Sequence, residues 1–313
     1  MEPDRGIESH PHPGDARSPV GGPGAREGGV SEAAEHFLAH RPMLYGLAYR
    51  LLGSAHDAED VLQEAYLRWA GTDRARVGEP RRYLTRVVAR LAVDLLRTRG
   101  RREYYVGQWL PEPVSTDPSP FGAVDTSDLS LAVLHLMEQL TPPQRAVYVL
   151  RTAFELPYHE IAGIVDRTPD DCRQLYRRAE AALRAGRARF TPSPDEHRRL
   201  LADFVAAARD GDLGRLEKLL HTDVVAYSDG GGRARAARHP IEGRAKVARF
   251  FAGIYSRPRR LSVVPVELNG APALVVHNIK TRHTLTVVAD GGVIVAIYVV
   301  ANPDKLGSVV GVG

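Results

Sequence analysis

The sequence contains a single cysteine, Cys172, in a chain of 313 residues. One thiol excludes an internal disulfide and any metal site built only from cysteine ligands. Long hydrophobic runs are also absent: no stretch of 18 apolar residues occurs, so we expect no membrane-spanning helix. The N-terminal stretch is rich in proline, glycine and histidine and lacks an apolar segment, so we expect no signal peptide. These absences predict a protein of the reducing cytoplasm.

Lysine is also scarce, with four residues, so arginine supplies nearly all of the positive charge. The net charge is only +4, which is compatible with a polyanionic partner but does not require one. A hydrophobic content of 43% is ordinary for globular proteins, and the length accommodates two or three domains, each with its own core.

Composition and periodicity divide the chain into five parts. Residues 1–30 are too poor in apolar side chains to offset the entropy of ordering and are predicted to be disordered. Residues 31–106 have a helical pattern typical of a small three-helix bundle. Residues 107–127 contain four prolines and predict a flexible linker with an aromatic-proline anchor at its start. Residues 128–190 are again helical, and residues 194–313 combine helices with strand-like runs. The predicted fold class is therefore multidomain: two all-α helical domains followed by an α+β domain.

Local signals mark the element boundaries. Gly53 is suited to end the first helix, and Pro80 is suited to the first turn of the third. Thr141 precedes a proline and lies three residues before a glutamine, which predicts a capping box. Asn269-Gly270 and Asp290-Gly291 predict hairpins within an antiparallel sheet.

Residues 57–69, DAEDVLQEAYLRW, predict a helix whose apolar side chains recur at helical spacing. Its other positions carry carboxylates. Since DNA would repel this charge, the helix is better suited to a basic protein surface, and the alternative is a solvated acidic face. The carboxylates are those of Asp57, Glu59, Asp60 and Glu64.

The third helix of the bundle is strongly basic. Its candidate DNA-binding residues are Arg81, Arg82, Tyr83, Arg86 and Arg90. Such a face can neutralise several phosphates, and unpaired bases stack on aromatic rings for roughly 1–3 kcal/mol each. Trp69, Tyr104 and Tyr105 supply further rings nearby. The alternative, an arginine-rich solvated face over an ordinary core, stays open.

A second basic helix follows Thr168, a predicted N-cap, and Pro169. The preceding helix and short turn make this pair a helix-turn-helix pattern, whose second helix is suited to a DNA major groove. Arginine can bond guanine edges and glutamine adenine edges. The candidates are Arg173, Gln174, Arg177 and Arg178, although helix pairs with no role in DNA binding share this pattern.

These segments together resemble a known family. Residues 57–69 and the segment PRRYLTRVVARLAVDLLRTRGRRE resemble conserved region two of bacterial sigma factors, and residues 141–184 resemble region four. With no region-three domain between them, the chain is similar to the extracytoplasmic-function group. WLPEP at 109–113, DGGGR at 229–233 and NPDKL at 302–306 resemble the SigJ-type subgroup, which has a SnoaL-like C-terminal domain.

The resemblance implies a promoter-specificity subunit whose partners are core RNA polymerase and promoter DNA. The clamp helices of the β′ subunit would be bound by Asp57, Glu59, Asp60, Gln63 and Glu64. Region four would meet the β flap. The loop and basic helix around 72–90 would open and read the −10 element. The four candidates at 173–178 would read the −35 element as duplex. No cofactor and no metal ion are implied.

The resemblance also implies a regulatory contact of the C-terminal domain with either region two or the WLPEP linker. The residues it assigns there are Trp109, Leu110, Pro111, Asp229, Asn302, Pro303, Asp304 and Lys305. Whether the contact activates or inhibits is left open, and so is the binding of an unidentified small ligand in the C-terminal pocket.

Two other functions are compatible with parts of the sequence. A one-component regulator would bind an operator through the helix-turn-helix and sense a ligand with the C-terminal domain. An enzyme would need a poised carboxylate or imidazole in an apolar cavity. The candidates are Asp229, Tyr227, His221, His277 and His283, but the sequence places none of them opposite an oxyanion donor. We therefore expect a protein without enzymatic activity.

Overall fold

The computed structural model describes residues 24–99, 105–116, 120–121, 129–186, 193–256, 261–278 and 281–309. Within these ranges the chain forms two helical units joined by a linker, followed by an α+β domain. The predicted fold class is confirmed. None of the described helices combines the length and hydrophobicity needed to span a lipid bilayer.

The first helical unit consists of α1 (Gly24–Leu52), α2 (Ala55–Ala70) and α3 (Pro80–Arg99). Helix α1 begins inside the segment for which composition predicts disorder, and residues 1–23 of that segment lie outside the described ranges. As predicted, Gly53 separates α1 from α2 in a left-handed conformation, with φ of +63°.

The second helical unit consists of α4 (Leu131–Met137), α5 (Pro142–Thr152), α6 (Tyr158–Val165) and α7 (Pro169–Gly186). The capping box predicted at Thr141 is present at the start of α5. The helix-turn-helix is formed by α6 and α7. The apolar cores of the two helical units are continuous, because α5 and α6 pack against α1 and α3.

The linker does not behave as a flexible tether over its described residues. Residues 110–115 are all buried. They lie between the first helical unit on one side and the C-terminal domain on the other, and Ser115 forms a β-bridge with Leu268. Contacts remote in sequence therefore hold this part of the linker, where the sequence predicts an aromatic-proline anchor.

The C-terminal domain contains three helices, α8 (Pro194–Asp210), α9 (Leu213–Leu219) and α10 (Arg244–Tyr255). Its strands are β1 (Leu220–Asp229), β2 (Ile241–Glu242), β3 (Ser262–Leu268), β4 (Ala271–His277), β5 (Arg282–Asp290) and β6 (Val293–Val300). They form a sheet with the order β2-β1-β6-β5-β4-β3.

The sheet is mixed rather than antiparallel throughout. Both predicted hairpins are present, and Asn269 and Gly270 both have positive φ, as the tight turn requires. However, β1 pairs with β6 in parallel, and the predicted antiparallel arrangement is wrong at this position. The two strands are joined through α10 and four other strands, so no hairpin signal in the sequence reports their direction.

Both faces of this sheet are covered. Alternate strand residues point to opposite faces: Leu274, Val276 and Ile297 face α8 and α10 in the interior of the domain. Val275 and Tyr298 point the other way, where they pack against side chains of the linker and of α4. The outer face of the sheet is therefore the surface that joins the C-terminal domain to the helical units.

Candidate protein and nucleic-acid interfaces

The exposed face of α2 is acidic with an apolar side chain among the polar ones. Asp60, Gln63, Glu64 and Leu67 share this face, because helix positions three and four residues apart are neighbours. All four are exposed, and Leu67 keeps 60% of its surface accessible. An accessible leucine beside carboxylates is suited to a partner surface with both apolar and basic groups. We call these four residues the α2 face.

The other acidic candidates lie beside the α2 face. Asp57 is half-buried in the first turn, where its backbone N–H donates to Ser54 Oγ at 3.2 Å. Glu59 is exposed and binds Arg41 of α1, with 2.6 Å between the nearest nitrogen and oxygen. Sequence reasoning missed Leu67, although its position outside the periodic buried stripe of α2 signals its exposure.

The basic face of α3 is already in contact with the helix-turn-helix. Arg82 and Arg86 both bind the carboxylate of Glu160 in α6; Arg82 Nε lies 2.8 Å from Oε2, and Arg86 Nη2 lies 3.2 Å from the same oxygen. Arg90 donates to the carbonyl oxygen of Gly163 at 2.7 Å. Arg81 is exposed. We call the contact of Arg82 and Arg86 with Glu160 the Glu160 latch.

Glu160 is an unusual partner because its side chain is only 3% exposed, whereas those of Arg82 and Arg86 are about half exposed. The hydrogen bond from Arg82 is the main cause that lowers the pKa of Glu160 below its ordinary value. The carboxylate is therefore held in its ionised form beneath two arginines that are predicted from the sequence to bind DNA.

The aromatic candidates near α3 have different environments. Tyr83 is half-buried beside Trp69, with 5.8 Å between ring centroids, and its hydroxyl lies 3.1 Å from Thr72 Oγ1. Trp69 is fully buried, so it belongs to the core and does not present a ring for stacking. Tyr105 contacts the C-terminal domain instead of α3, and Tyr104 lies outside the described residues.

A cleft of about 660 Å³ opens between the loop after α2 and the start of α3. Its lining residues are Thr72, Asp73, Arg76, Val77, Gly78, Glu79, Arg82, Tyr83 and Arg86. The cleft thus combines arginines with one aromatic ring, which are the groups that bind phosphates and unstacked bases.

The second helix of the helix-turn-helix presents its predicted residues to solvent. The N-cap of α7 is formed as predicted, because Thr168 Oγ1 accepts from Asp171 N at 3.1 Å. Arg173 is exposed but pairs with Asp170. Arg177 and Arg178 are also exposed and make no ion pair within the described part of the chain. Like them, Gln174 is exposed, so all four candidates project from one helix.

The residues assigned to the regulatory contact meet around Asp229, which is completely buried. Its Oδ1 accepts from the hydroxyl of Tyr105 at 2.6 Å and from Gly231 N at 3.0 Å. Its Oδ2 accepts from Leu110 N at 2.8 Å and from Lys305 Nζ at 2.7 Å. Lys305 also donates to the carbonyl oxygen of Leu110 at 2.5 Å. One carboxylate therefore joins the linker to the end of β1 and to the turn that follows its parallel neighbour β6.

The remaining residues of NPDKL complete this contact. Asn302 donates to the hydroxyl of Tyr105 at 3.1 Å and accepts from Asp304 N at 3.1 Å. Pro303 begins a short 3₁₀ turn, and Asp304 forms an exposed ion pair with Arg233. Lys305 thus contacts the linker directly, and Asn302 contacts Tyr105 just before the linker, whereas Asp304 stabilises the loop beside them.

Trp109 and Pro111 of the linker lie between the C-terminal domain and the α1–α2 corner. Lys305 Nζ lies 4.0 Å from the centroid of the Trp109 ring, which is a cation–π distance. A Cβ atom on Gly53 would come within 2.9 Å of Trp109, so the glycine allows the close approach of the linker. Pro111 is buried.

A buried polar network fixes the next part of the linker. Glu112 accepts from Ser54 Oγ at 2.8 Å and from Ala55 N at 2.7 Å, so it caps α2 from a remote position. Tyr49 donates to the carbonyl oxygen of Glu112 at 2.5 Å and accepts from Asn269 Nδ2 at 2.7 Å. This network connects α1, the linker and the β3–β4 hairpin, and no local sequence pattern predicts it.

The catalytic candidates do not form a common site. Asp229 is occupied by the four donors described above. His283 lies 2.9 Å from the hydroxyl of Tyr255, and burial lowers its pKa to about 4. Tyr227 stacks on another tyrosine outside the domain interior. His221 is exposed and His277 half-buried at the end of β4. Among the described residues, no group of three or more potential ligands is arranged to hold a metal ion.

Two family models match the helical part of the chain. The model for sigma-70 region 2 matches residues 36–102. The model for sigma-70 region 4 matches residues 130–183. These ranges contain the α2 face, the basic face of α3 and the exposed arginines of α7.

The chain is also similar to whole proteins. It is 36% identical over 287 residues to the ECF RNA polymerase sigma factor SigJ of Mycobacterium tuberculosis strain H37Rv, covering 86% of this chain and 91% of that protein. The probable ECF RNA polymerase sigma factor SigI of that organism is 30% identical, with 86% and 92% covered. The crystal structure of M. tuberculosis SigJ matches with a TM-score of 0.71 and 31% identity, covering 88% of this chain and 98% of that chain. The chain therefore belongs to the extracytoplasmic-function RNA polymerase sigma factors.

Proposed function

We propose that this sigma factor binds core RNA polymerase through the α2 face and promoter DNA through α3 and α7. The C-terminal domain controls how readily these surfaces become available. Sigma factors bind core polymerase and direct initiation at specific promoters, and the assignment of that activity to these residues is our proposal. The one-component regulator is not favoured, because the similarity extends over both sigma regions.

The observation that carries this assignment is the opposite charge of two surfaces on one small bundle. The α2 face combines carboxylates with an accessible Leu67, whereas α3 of the same bundle carries the arginines. Complementary charge would direct the first surface toward a basic protein helix pair and the second toward DNA. We assign the first to the β′ clamp helices, with Asp57 and Glu59 at its margin.

The cleft beside α3 supports a role in reading the −10 element. Arg82 and Arg86 lie on one side and Tyr83 on another, so a phosphate and an unstacked base find suitable partners in one place. Arg81 and Arg90 extend the basic face along α3. We propose that this cleft takes a base from the separated strands.

The helix α7 supports a role at the −35 element. Its exposed Arg177 and Arg178 lie one turn after Arg173 and Gln174, so a single groove of duplex DNA can meet all four. Region four would bind the β flap through another of its surfaces.

The Glu160 latch implies that the described arrangement must open on the promoter. The −10 and −35 elements are separated by roughly 25 base pairs, which is about 85 Å of straight duplex at 3.4 Å per step. Arg82 and Glu160 are in direct contact, so α3 and the helix-turn-helix are too close together to occupy both elements at once. We therefore propose that this arrangement is the inactive form of the free protein.

The C-terminal domain is placed to stabilise that inactive form. Its contacts with the linker join Asp229 and Lys305 to Leu110, and its outer sheet face packs on α4. Because the linker connects the two helical units, holding it restricts their separation. We propose an inhibitory role that is relieved when this contact loosens.

We further propose that the protein works in the cytoplasm, where its polymerase partner acts, and has no enzymatic activity. The occupied state of Asp229 supports the second statement, since a general base needs an available carboxylate. A test is run-off transcription with purified core polymerase, in which this protein is expected to confer initiation at specific promoters. A turnover reaction at Asp229, or failure to confer initiation, would contradict the proposal.

Charge reversal on the α2 face is expected to weaken binding to core polymerase by at least about tenfold, because like charges then meet across the contact. The variant is Asp60→Lys combined with Glu64→Lys, measured by fluorescence anisotropy with labelled protein. Asp223→Lys, an exposed substitution on the C-terminal domain, is the matched control and should bind normally. If both variants bind core polymerase with equal affinity, the α2 face is not part of the interface.

Replacing Arg178 by alanine is expected to cost about 1–3 kcal/mol of binding to −35 duplex, with the loss confined to the correct sequence. Arg184→Ala is the control, because Arg184 of the same helix is paired with Glu180. The measurement is competition binding with matched and mutated −35 duplexes. A uniform loss on both duplexes would indicate phosphate contact only.

A further inference from the structure

A cleft of about 540 Å³ lies where the linker, α4 and the loop between β1 and β2 meet. It is lined by Val106, Gly107, Gln108, Trp109, His135, Arg238 and His239. Three separate parts of the fold therefore contribute side chains to it. The cleft lies outside the basic face of α3 and outside the interior of the C-terminal domain.

Two residues that line this cleft each have a buried polar atom without a partner in the described part of the chain. Gln108 Oε1 and His135 Nδ1 are shielded from solvent and make no hydrogen bond within the described ranges. A buried polar atom that stays unpaired is unfavourable, so a hydrogen bond from a bound molecule would stabilise each of them. The His135 ring is held against Tyr227 and Tyr298, with centroid distances of 4.8 and 5.5 Å.

Burial lowers the pKa of His135 to about 4, so the ring is neutral at pH 7. It supplies a hydrogen-bonding nitrogen and no charge. Positive charge comes instead from Arg238, which is exposed at the rim and makes no ion pair within the described chain. A Cβ atom on Gly107 would lie 3.9 Å from the Arg238 Cα, so the linker passes close to this loop.

We propose that this cleft binds a small planar molecule that carries a carboxylate or phosphate group and an N–H or O–H donor. The anionic group pairs with Arg238, the donor satisfies Gln108 Oε1, and the planar part lies beside Trp109. His135 Nδ1 receives the remaining polar contact. Because the ligand touches the linker, α4 and the C-terminal domain together, its binding stabilises their docking by mass action.

The test uses the full-length protein labelled with ¹⁵N and 4-hydroxybenzoate as the probe. The sequence has two tryptophans, so two indole N–H signals are expected. The Trp109 signal should shift on titration, with a dissociation constant in the millimolar range or tighter. The Trp69 signal should stay in place, because that indole is buried and donates to Ala33 O at 3.0 Å.

Two comparisons make the result specific. Arg238→Gln should weaken binding at least about tenfold, whereas Arg235→Gln, an exposed residue of the same loop that does not line the cleft, should not. Benzoate, which lacks the hydroxyl donor, should bind more weakly than 4-hydroxybenzoate. The proposal is overturned if Trp109 does not respond, if both arginine variants lose binding equally, or if benzoate binds as well as the probe.

Discussion

Replacing Asp229 by asparagine is expected to lower the free energy of unfolding by about 3–5 kcal/mol, the usual cost of removing one partner from a buried ion pair. The substitution leaves Lys305 buried with its charge uncompensated, since that lysine is only 6% exposed. It also weakens the acceptor for Tyr105 and Leu110. The measurement is urea denaturation of the full-length protein followed by circular dichroism.

The adjacent ion pair supplies a matched control for this prediction. Asp304→Asn removes a carboxylate of the same contact, but its partner Arg233 is exposed, so the expected loss is below about 1 kcal/mol. Adding Lys305→Met to Asp229→Asn should recover much of the stability, because the unpaired charge is then absent. Equal destabilisation by Asp229→Asn and Asp304→Asn would mean that burial does not determine the strength of this contact.

Replacing Glu160 by glutamine is expected to raise the affinity of the free protein for single-stranded −10 DNA by at least about fivefold, a typical allosteric coupling. The substitution weakens the Glu160 latch and releases Arg82 and Arg86 for phosphates. The measurement is fluorescence anisotropy with a labelled oligonucleotide, accompanied by small-angle X-ray scattering to detect expansion.

A neighbouring carboxylate distinguishes release of the latch from a change in net charge. Glu79 lies 3.8 Å from Arg82 but its side chain is 71% exposed. Glu79→Gln removes the same charge near the same arginine and should change affinity much less than Glu160→Gln does. If the two variants gain affinity equally, general electrostatics explains the result and the latch does not.

The latch also predicts a direction of pH dependence. The pKa of Glu160 is lowered in the folded protein, chiefly by the hydrogen bond from Arg82. The stabilisation is therefore complete above the ordinary carboxyl pKa and is lost as the pH falls through the lowered value. Scattering should show expansion of the protein under acidic conditions, and Glu160→Gln should remove the part of this change that the latch causes.

Features set by neighbouring residues could be predicted from the sequence. The capping box at Thr141, the N-cap at Thr168 and the turn at Asn269-Gly270 each depend on residues within a few positions. The exposure of Arg177 and Arg178 follows from the apolar periodicity of α7, which places them away from the core.

Contacts between distant residues could not be predicted in this way. Glu160 forms an ion pair with Arg82, which is 78 positions away in the sequence. Asp229 accepts a hydrogen bond from Leu110 N, which is 119 positions away. Nothing local distinguishes Glu160 from a solvated glutamate, because its burial depends on α3 packing over α6. The resemblance to the subgroup assigns Asp229, Asn302 and Lys305 to the regulatory contact. The hydrogen bonds that these residues make, however, depend on the parallel pairing of β1 with β6.

The scarcity of lysine gives the Asp229 contact a practical consequence. Lys218 and Lys246 are exposed, whereas Lys305 is enclosed by the linker and its amine is bonded on two sides. Amine acylation followed by mass spectrometry can therefore report on this contact. The exposed lysines are expected to react rapidly, whereas the rate at which Lys305 is modified measures how often the C-terminal domain dissociates from the linker.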